Sequence, residues 1–221
     1  MKRTIKAVIF DLDGVLVRSE ELWEQMGRMY LEQKGVTIPK DFGAYVNRHC
    51  RGAGQRAINI VLKKKFGLTD SLKKMYDERL QMVLRVFKKK LEPMAYARST
   101  VERLAKTYPL ALVSSSPQPA VDLCLKILKL RPYFRVILTE KDVQEVKPNP
   151  YIFIKAAKRL HLPPASCLVI EDSIAGVTAA HRAHMSCVLL KTYYTTASQS
   201  RLATRSISRL NQITPTLIQS I

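Results

Sequence analysis

Cysteine pairs, long apolar runs and acidic residues are all scarce in this sequence. Its four cysteines stand far apart and form no CxxC pair, so neither a zinc cluster nor a disulfide framework is predicted. The thiols are those of Cys50, Cys124, Cys167 and Cys187. We expect them to stay reduced, as in a cytoplasmic protein.

Apolar runs are short along the whole chain. No segment approaches the roughly 18 continuous apolar residues of a membrane span. The apolar run behind the basic N-terminal residues ends at Asp11, which is too early for a secretory signal. With 47% hydrophobic residues and only 8 glycines and 11 prolines among 221 residues, the composition is not that of a disordered chain. We expect a folded protein of one domain, or one domain with an insertion, and no membrane partner.

Acidic residues are outnumbered by basic ones. The chain has 37 Lys and Arg against 18 Asp and Glu, which gives a net charge of +19 at pH 7. Such an excess attracts phosphorylated metabolites, nucleic acid and acidic membranes alike, and it does not choose among them. A basic nucleic-acid-binding module therefore stays open as an alternative function, although no recognised nucleic-acid-binding motif is present.

Short apolar segments alternate with longer helical patterns. The strands are predicted at 4–10, 110–115, 135–140, 167–172 and 187–190, and the crossover helices at 97–107, 117–129, 150–161 and 174–183. Continuous apolar strands that are separated by helices indicate an α/β fold, a doubly wound parallel sheet with a Rossmann-like core. The Ser/Thr-rich stretch 191–206 is typical of a loop, and 207–221 predicts a strand-like piece and a helix interrupted near Pro215.

One interval breaks this alternation. Residues 18–91 carry helical patterns and no plausible parallel strand. We therefore predict an α-helical cap at 18–91, inserted after the first strand of a catalytic core formed by 1–17 and 92–221. The linkers would lie near 17–19 and 91–93.

Acidic residues follow two of the predicted strands. Asp11 and Asp13 come after the first strand, and Glu171 and Asp172 end the fourth. Ligands of such sheets bind outside the carboxyl ends of the strands. Four carboxylates at one edge repel each other unless a cation lies between them, and hard oxygen ligands suit Mg2+. The sequence therefore predicts a divalent cation at this edge.

Four motifs occur in order along the chain: "DLDGVL", "LVSSS", "VKPNPYIF" and "VIEDSIAGVTAA". Together they resemble the motifs of the haloacid dehalogenase superfamily of phosphatases and phosphomutases. The resemblance spans nearly the whole chain, and the helical insertion matches that family's cap. The segments "DGVLVRSEELW" and "EDSIAGV" are similar to the branch that contains β-phosphoglucomutase and sugar-phosphate phosphatases.

The resemblance implies a role for each motif residue. Asp11 would attack phosphorus and form an aspartyl-phosphate, while Asp13 would protonate the leaving oxygen and then activate water. Lys147 would supply a positive charge, and Ser114 and Ser115 would bind the phosphoryl group. These roles agree with the chemistry of a carboxylate nucleophile beside a second carboxyl group that acts as acid and base.

The resemblance also implies how the cation is held. Asp11, Glu171, Asp172 and the backbone carbonyl of Asp13 would bind Mg2+, and whether Glu171 binds directly or through water stays open.

Pro117 fits the first turn of the next helix, which would place a cap at Ser116 and a helix end that favours anions beside the site.

The insertion holds the candidates for substrate recognition. Arg51 and Arg56 lie in "CRGAGQR", where glycines allow close approach and arginines can bind a second phosphate or a carboxylate. Trp23 and Tyr30 have the helical spacing of cap core residues, and a tryptophan that stacks on a sugar stays open for Trp23. Arg18 stands where many relatives have aspartate.

Hydrolysis is preferred over isomerisation, because Trp23 stands where the mutases usually have a histidine. The sequence thus predicts a monomeric, cytoplasmic, Mg2+-dependent phosphatase of a small phosphorylated metabolite, such as a sugar phosphate. A β-phosphoglucomutase-like phosphomutase is the alternative from the same family.

Overall fold

A six-stranded parallel sheet lies at the centre of the molecule. The structure, a computed structural model, describes residues 4–50, 52–193 and 195–221. The strands are β1 (Ala7–Phe10), β2 (Leu110–Val113), β3 (Phe134–Leu138), β4 (Cys167–Glu171), β5 (Ser186–Leu190) and β6 (Arg205–Ile207). Their order is β3-β2-β1-β4-β5-β6, and every pairing is parallel. The predicted α/β class is confirmed, and β1 lies between β2 and β4.

Among the described residues, four α-helices lie between β1 and Pro93, where the chain returns to the core. They are α1 (Glu20–Gln33), α2 (Phe42–Cys50), α3 (Gly54–Phe66) and α4 (Leu72–Lys90). The two connections to the sheet run side by side, because Val17 bridges Pro93 and the Arg18 N–H donates to the Glu92 carbonyl at 2.9 Å. This arrangement supports the division into cap and core, which stays a prediction in its boundaries.

Helices cover both faces of the sheet. The remaining helices are α5 (Ala97–Ala105), α6 (Gln118–Leu128), α7 (Tyr151–Arg159), α8 (Ile174–Arg182), α9 (Ala197–Leu202) and α10 (Pro215–Gln219). Because successive strand side chains point to opposite faces, Val8 and Phe10 enter one apolar cluster while Ala7 and Ile9 enter another. The first cluster contains residues of α5, α6 and α10, and the second contains residues of α7 and α8.

The C-terminal stretch differs from its prediction. The segment predicted as a loop contains α9, which begins with a capping box between Thr196 and Gln199. Pro215 does not interrupt a helix but begins α10, since proline is tolerated in the first turn, where its missing N–H has no partner to lose. The Thr214 hydroxyl caps that helix by accepting from the Leu217 N–H at 3.1 Å.

All four cysteines are buried, and none is paired. Within the described ranges, no helix combines the length and the apolar character that crossing a bilayer requires.

Candidate active site

The carboxyl ends of the central strands carry a cluster of buried charged groups. Asp11 follows β1 directly, Glu171 ends β4, and Asp172 comes next. Together with Asp13 and Lys147, they line one cavity of about 110 Å³ between the sheet and the helices of the insertion. The structure therefore brings together five residues that the sequence places as far apart as 161 positions, from Asp11 to Asp172.

Lys147 joins two of these carboxylates. Its side chain is 1% exposed, and Nζ donates to Asp11 Oδ1 at 2.5 Å and to Glu171 Oε1 at 2.7 Å. Burial opposes the charge of Lys147, but Asp11 and Glu171 outweigh it and hold the pKa of Lys147 above its usual value. Lys147 is therefore a fixed cation in the cluster.

The pKa of Asp11 stays raised despite this lysine. Burial raises the pKa of Asp11 well above its usual value, Lys147 opposes the rise, and Glu171 and Asp13 add to it. A buried carboxylate becomes more favourable as an ion when a further cation lies near it. The cluster thus has room, electrostatically, for one more positive charge.

The oxygen atoms of three side chains are arranged as a cation would need them. Carboxylate oxygens of Asp11, Glu171 and Asp172, all buried, lie within 4.8 Å of one another. Donors of this kind are those that Mg2+ prefers. The residues present therefore fit a hard divalent cation.

Glu171 is poorly placed to bind a metal directly. Its Oε2 accepts from the backbone N–H groups of Asp172 and Ser173, both at 2.9 Å, and from the Ser173 hydroxyl at 3.0 Å. Its Oε1 accepts from Lys147. Both oxygens are engaged with protein donors, which favours contact through water.

Two glycines allow the backbone to approach these acids. A Cβ at Gly14 would lie 2.1 Å from Asp172 Oδ2, and the φ of Gly14 is +77°, in the left-handed region. A Cβ at Gly176 would lie 1.7 Å from Glu171 Oε1. Any side chain at either position would displace a carboxylate, so the glycines set where the acids lie.

Asp13 accepts four hydrogen bonds from side chains. Its Oδ1 accepts from the Ser19 hydroxyl at 2.6 Å and from Trp23 Nε1 at 2.8 Å. Its Oδ2 accepts from the Ser116 hydroxyl at 2.7 Å and from the Ser114 hydroxyl at 3.3 Å. Asp13 is therefore held from the start of the insertion and from the loop after β2.

The loop after β2 differs from its prediction. Ser116 does not cap the next helix, because Pro117 is the N-cap and the Ser116 hydroxyl turns to Asp13 instead. Ser114 is fully buried beside Asp13 and is not among the residues that line the cavity. Ser115 does line it, and its hydroxyl has no hydrogen-bond partner in the described parts of the chain. Ser115 is thus the hydroxyl available to a ligand.

The loop between α2 and α3 lies against the site. A Cβ at Gly52 would come within 2.8 Å of the Ser173 hydroxyl, and one at Gly54 within 2.8 Å of the Ser115 carbonyl. This is the close approach that the glycines of "CRGAGQR" predict.

Two arginines of this segment are the predicted substrate contacts. Arg51 lies outside the described residues. Arg56 is exposed near Glu140 and is not among the residues that line the cavity, so its contact with substrate stays a prediction.

The insertion supplies the rest of the cavity wall. Trp23, predicted as cap core, packs edge-on against Phe87 with ring centroids 5.4 Å apart and also reaches Asp13. Other lining residues include Gly27, Phe42, Val46, Gln55, Ile58, Leu62 and Arg79. Arg79 went unnoticed in the sequence because it lies in a charged helix that resembles a solvated one.

The parallel sheet carries an acidic cluster at the carboxyl ends of its strands and a helical insertion after its first strand. This is the architecture of an α/β enzyme. Residues 8–190 match the family model described as haloacid dehalogenase-like hydrolase, and the chain belongs to this family.

Curated relatives agree with this membership, and a solved structure shares the fold. "Putative phosphatase YhcW" of Bacillus subtilis is 37% identical over 193 residues, which cover 84% of this chain and 83% of that protein. "Phosphorylated carbohydrates phosphatase" of Thermotoga maritima is 32% identical over 180 residues, 81% of this chain and 82% of that one. The structure of CbbY from Rhodobacter sphaeroides with phosphate has a TM-score of 0.87 over 99% of this chain and 100% of its own, at 19% identity, and shares the fold.

Proposed function

We propose that this chain is a Mg2+-dependent phosphatase that hydrolyses a small phosphomonoester of the sugar-phosphate class. The observation that carries the proposal is the buried cluster in which Lys147 bonds Asp11 while four hydroxyl and indole donors hold Asp13 beside it. A relative named for phosphorylated carbohydrates supports the substrate class.

The reaction would use two displacements at phosphorus. A carboxylate oxygen of Asp11 attacks, the bond from phosphorus to the ester oxygen breaks, and the Asp13 carboxyl gives its proton to the departing oxygen. Asp13, now a carboxylate, takes a proton from water, whose oxygen attacks phosphorus and releases Asp11 and inorganic phosphate. A carboxylate nucleophile splits one difficult step into two easier ones, and one carboxyl group can alternate as acid and base.

Other residues would stabilise the charge of the phosphoryl group. Lys147 offers a fixed positive charge next to Asp11, and Ser115 offers its unpartnered hydroxyl. When bound, Mg2+ would supply further positive charge, held by Asp11, Asp172 and the Asp13 backbone carbonyl, with Glu171 contributing through water. Such preorganised charge is worth most in a buried site.

A substrate screen tests this function. We expect phosphate release from sugar phosphates with Mg2+ present and none from the same esters in a metal-free control. Formation of an isomer from glucose 1-phosphate with a bisphosphate primer, without free phosphate, would instead identify a phosphomutase. No reaction with any ester would reject both.

Removing the metal should stop the reaction. We expect a chelator to reduce phosphate release to background and added Mg2+ to restore it. Asp172→Asn should raise the Mg2+ concentration for half-maximal activity by more than roughly 100-fold and Glu171→Gln by roughly 10-fold, since an outer ligand costs about 10- to 100-fold in affinity. Metal titrations of phosphate release measure this order, and full activity with chelator would contradict it.

Trp23 should act on Asp13 through its indole N–H. Trp23→Phe keeps a ring against Phe87 and removes the donor to Asp13. A hydrogen bond to a charged group contributes about 1.5 kcal/mol or more, so we expect kcat to fall ~10-fold with little change in KM.

The matched control for that variant is Phe87→Leu, which disturbs the ring contact and leaves the N–H in place. Phe87→Leu should lower the melting temperature and leave kcat close to the wild-type value. An equal loss of kcat in both variants would show that ring packing, and not the hydrogen bond, matters.

A further inference from the structure

A second buried cation lines the cavity on the side of the insertion. Arg79 of α4 is 4% exposed, and Nη1 donates to Asn59 Oδ1. Its guanidinium lies over the Tyr30 ring, 5.9 Å from the centroid. Burial lowers the pKa of Arg79 to about 10, although Cys50 and Tyr30 oppose the shift. Within the described ranges, Arg79 forms no ion pair with a carboxylate.

Four acids near Arg79 are paired with other cations. The pairs are Asp70 and Glu78 with Lys34 at 2.7 and 2.6 Å, Asp77 with Lys73 at 2.6 Å, and Glu24 with Arg28 at 2.9 Å. Arg79 is thus the buried cation of this helix without an acid among the described residues, in contrast to Lys147, which has two.

A buried guanidinium without a counter-charge is costly, and an oxyanion supplied by a ligand would offset that cost. Next to it, Asn59 is 1% exposed, and its Nδ2 has no hydrogen-bond partner in the described residues. Arg79 is therefore a buried guanidinium without a carboxylate partner among the described residues, next to an Asn59 amide nitrogen that lacks an acceptor there. A guanidinium and an amide suit the oxygen atoms of a carboxylate or a phosphate.

The position of Arg79 separates it from the reacting group. Lys147 belongs to the core end of the cavity, as do the acids Asp11, Asp13, Glu171 and Asp172. On the side of the insertion, Arg79 of α4 lines the cavity together with Glu20 and Glu24 of α1. Phe42, Val46 and Ile58 also line the cavity and provide no charge. A ligand that bound both cations would thus carry an anionic group besides the phosphoryl group under attack.

We propose that Arg79 binds a second oxyanion of the substrate, so that the preferred substrates are phosphomonoesters with a carboxylate or a second phosphate. This inference rests on the proposed phosphatase function and names the substrate class within it. It assigns specificity to Arg79 and no part in the chemical steps.

Three esters with the same six-carbon chain test the inference: glucitol 6-phosphate, 6-phosphogluconate and glucitol 1,6-bisphosphate. They carry no second anion, a carboxylate and a phosphate, respectively. We expect kcat/KM to be roughly tenfold or more higher for at least one doubly anionic ester than for glucitol 6-phosphate, since a charged hydrogen bond contributes at least that factor. The better of the two identifies the oxyanion.

Arg79→Met should remove this preference by raising KM for the doubly anionic ester, so that the ratio of kcat/KM values falls close to one. Arg85→Met is the control, because Arg85 is an exposed arginine of the same helix and its loss removes the same charge. It should leave the ratio unchanged. A wild-type ratio near one, or an unchanged ratio in Arg79→Met, would overturn the proposal.

If Arg79→Met does not fold, Arg79→Lys decides. Lysine keeps the positive charge but loses the two-pronged planar geometry of the guanidinium, so the ratio of kcat/KM values should fall several-fold. A ratio equal to that of the wild type would count against Arg79.

Binding separates this inference from the phosphatase proposal. Calorimetry with Asp11→Asn and with Asp11→Asn/Arg79→Met needs no turnover, and the second variant should bind 6-phosphogluconate or glucitol 1,6-bisphosphate roughly tenfold more weakly. If no ester is hydrolysed but this loss of affinity is found, the function fails and the oxyanion site stands. Equal affinities of the two variants overturn the site.

Discussion

Replacing Asp11 with asparagine should reduce phosphate release by roughly 10⁴-fold or more, as expected when a nucleophile is removed. The amide has nearly the shape of the carboxylate, and burial already disfavours the charge of Asp11, whose pKa it raises. Lys147 would keep its bond to Glu171 at 2.7 Å. We therefore expect the folded structure to persist, with a melting temperature close to that of the wild type.

The matched control is Asp122→Asn, the same change at an exposed acid of α6 that accepts a hydrogen bond from Gln118. Its rate of phosphate release should equal that of the wild type. A stronger readout is transfer of labelled phosphate to the protein, which Asp11→Asn should abolish. Normal turnover by that variant would remove the basis of the proposed mechanism.

Replacing Gly14 with alanine should also eliminate most of the activity. The new Cβ would lie 2.1 Å from Asp172 Oδ2, so the carboxylate that we propose as a metal ligand must move. A displacement of about 1 Å in a catalytic group can cost about 100-fold in rate. We expect a loss of roughly that size and a weaker response to Mg2+, measured as phosphate release over a metal titration.

Gly67→Ala isolates the backbone part of this effect. Gly67 also has a positive φ, +62°, but a Cβ there meets nothing within 4 Å. Both variants should lose about 1–2 kcal/mol of stability, because an L-residue is strained in the left-handed region. Only Gly14→Ala should lose activity, and similar activity losses in the two would show that general destabilisation is the cause.

The sheet and the acidic cluster were predictable because each depends on local patterns. Continuous apolar segments mark buried parallel strands, and strands of one sheet deliver the residues behind them to one edge. Asp11 and Glu171 follow such segments directly, so their meeting in space needed no further information. Their order along the chain also carries the family resemblance, which the match over residues 8–190 confirms.

The donors around Asp13 were not predictable in the same way. Ser116 stands before a proline and a helix, which is typical of a cap, and only the packing of the loop after β2 turns its hydroxyl to Asp13. Trp23 has the spacing of a core residue and is one, but its N–H also reaches the site. Periodicity predicts which face of a helix is buried, but it does not predict which polar atom on that face bonds to a functional group.

The burial of Arg79 was likewise not predictable from the sequence. In the sequence it stands among Asp77, Glu78 and several lysines, which is the composition of a solvated face. The acids pair with the lysines instead, and Arg79 is left on the buried side. Pairing of this kind is decided by side-chain direction between helices, which a single sequence does not encode in a readable pattern.

The place of β1 in the sheet has a consequence for synthesis of the protein. Val8 pairs with Leu110 on one side and with Leu168 on the other, so β1 finds neither neighbour until much later residues have left the ribosome. Pairings so distant along the chain are slow to form, and an apolar strand that waits for them is prone to aggregate. Asp11, the nucleophile that we propose, is thus synthesised long before Glu171, and the acidic cluster is complete only after Cys167–Glu171 and Asp172 have emerged.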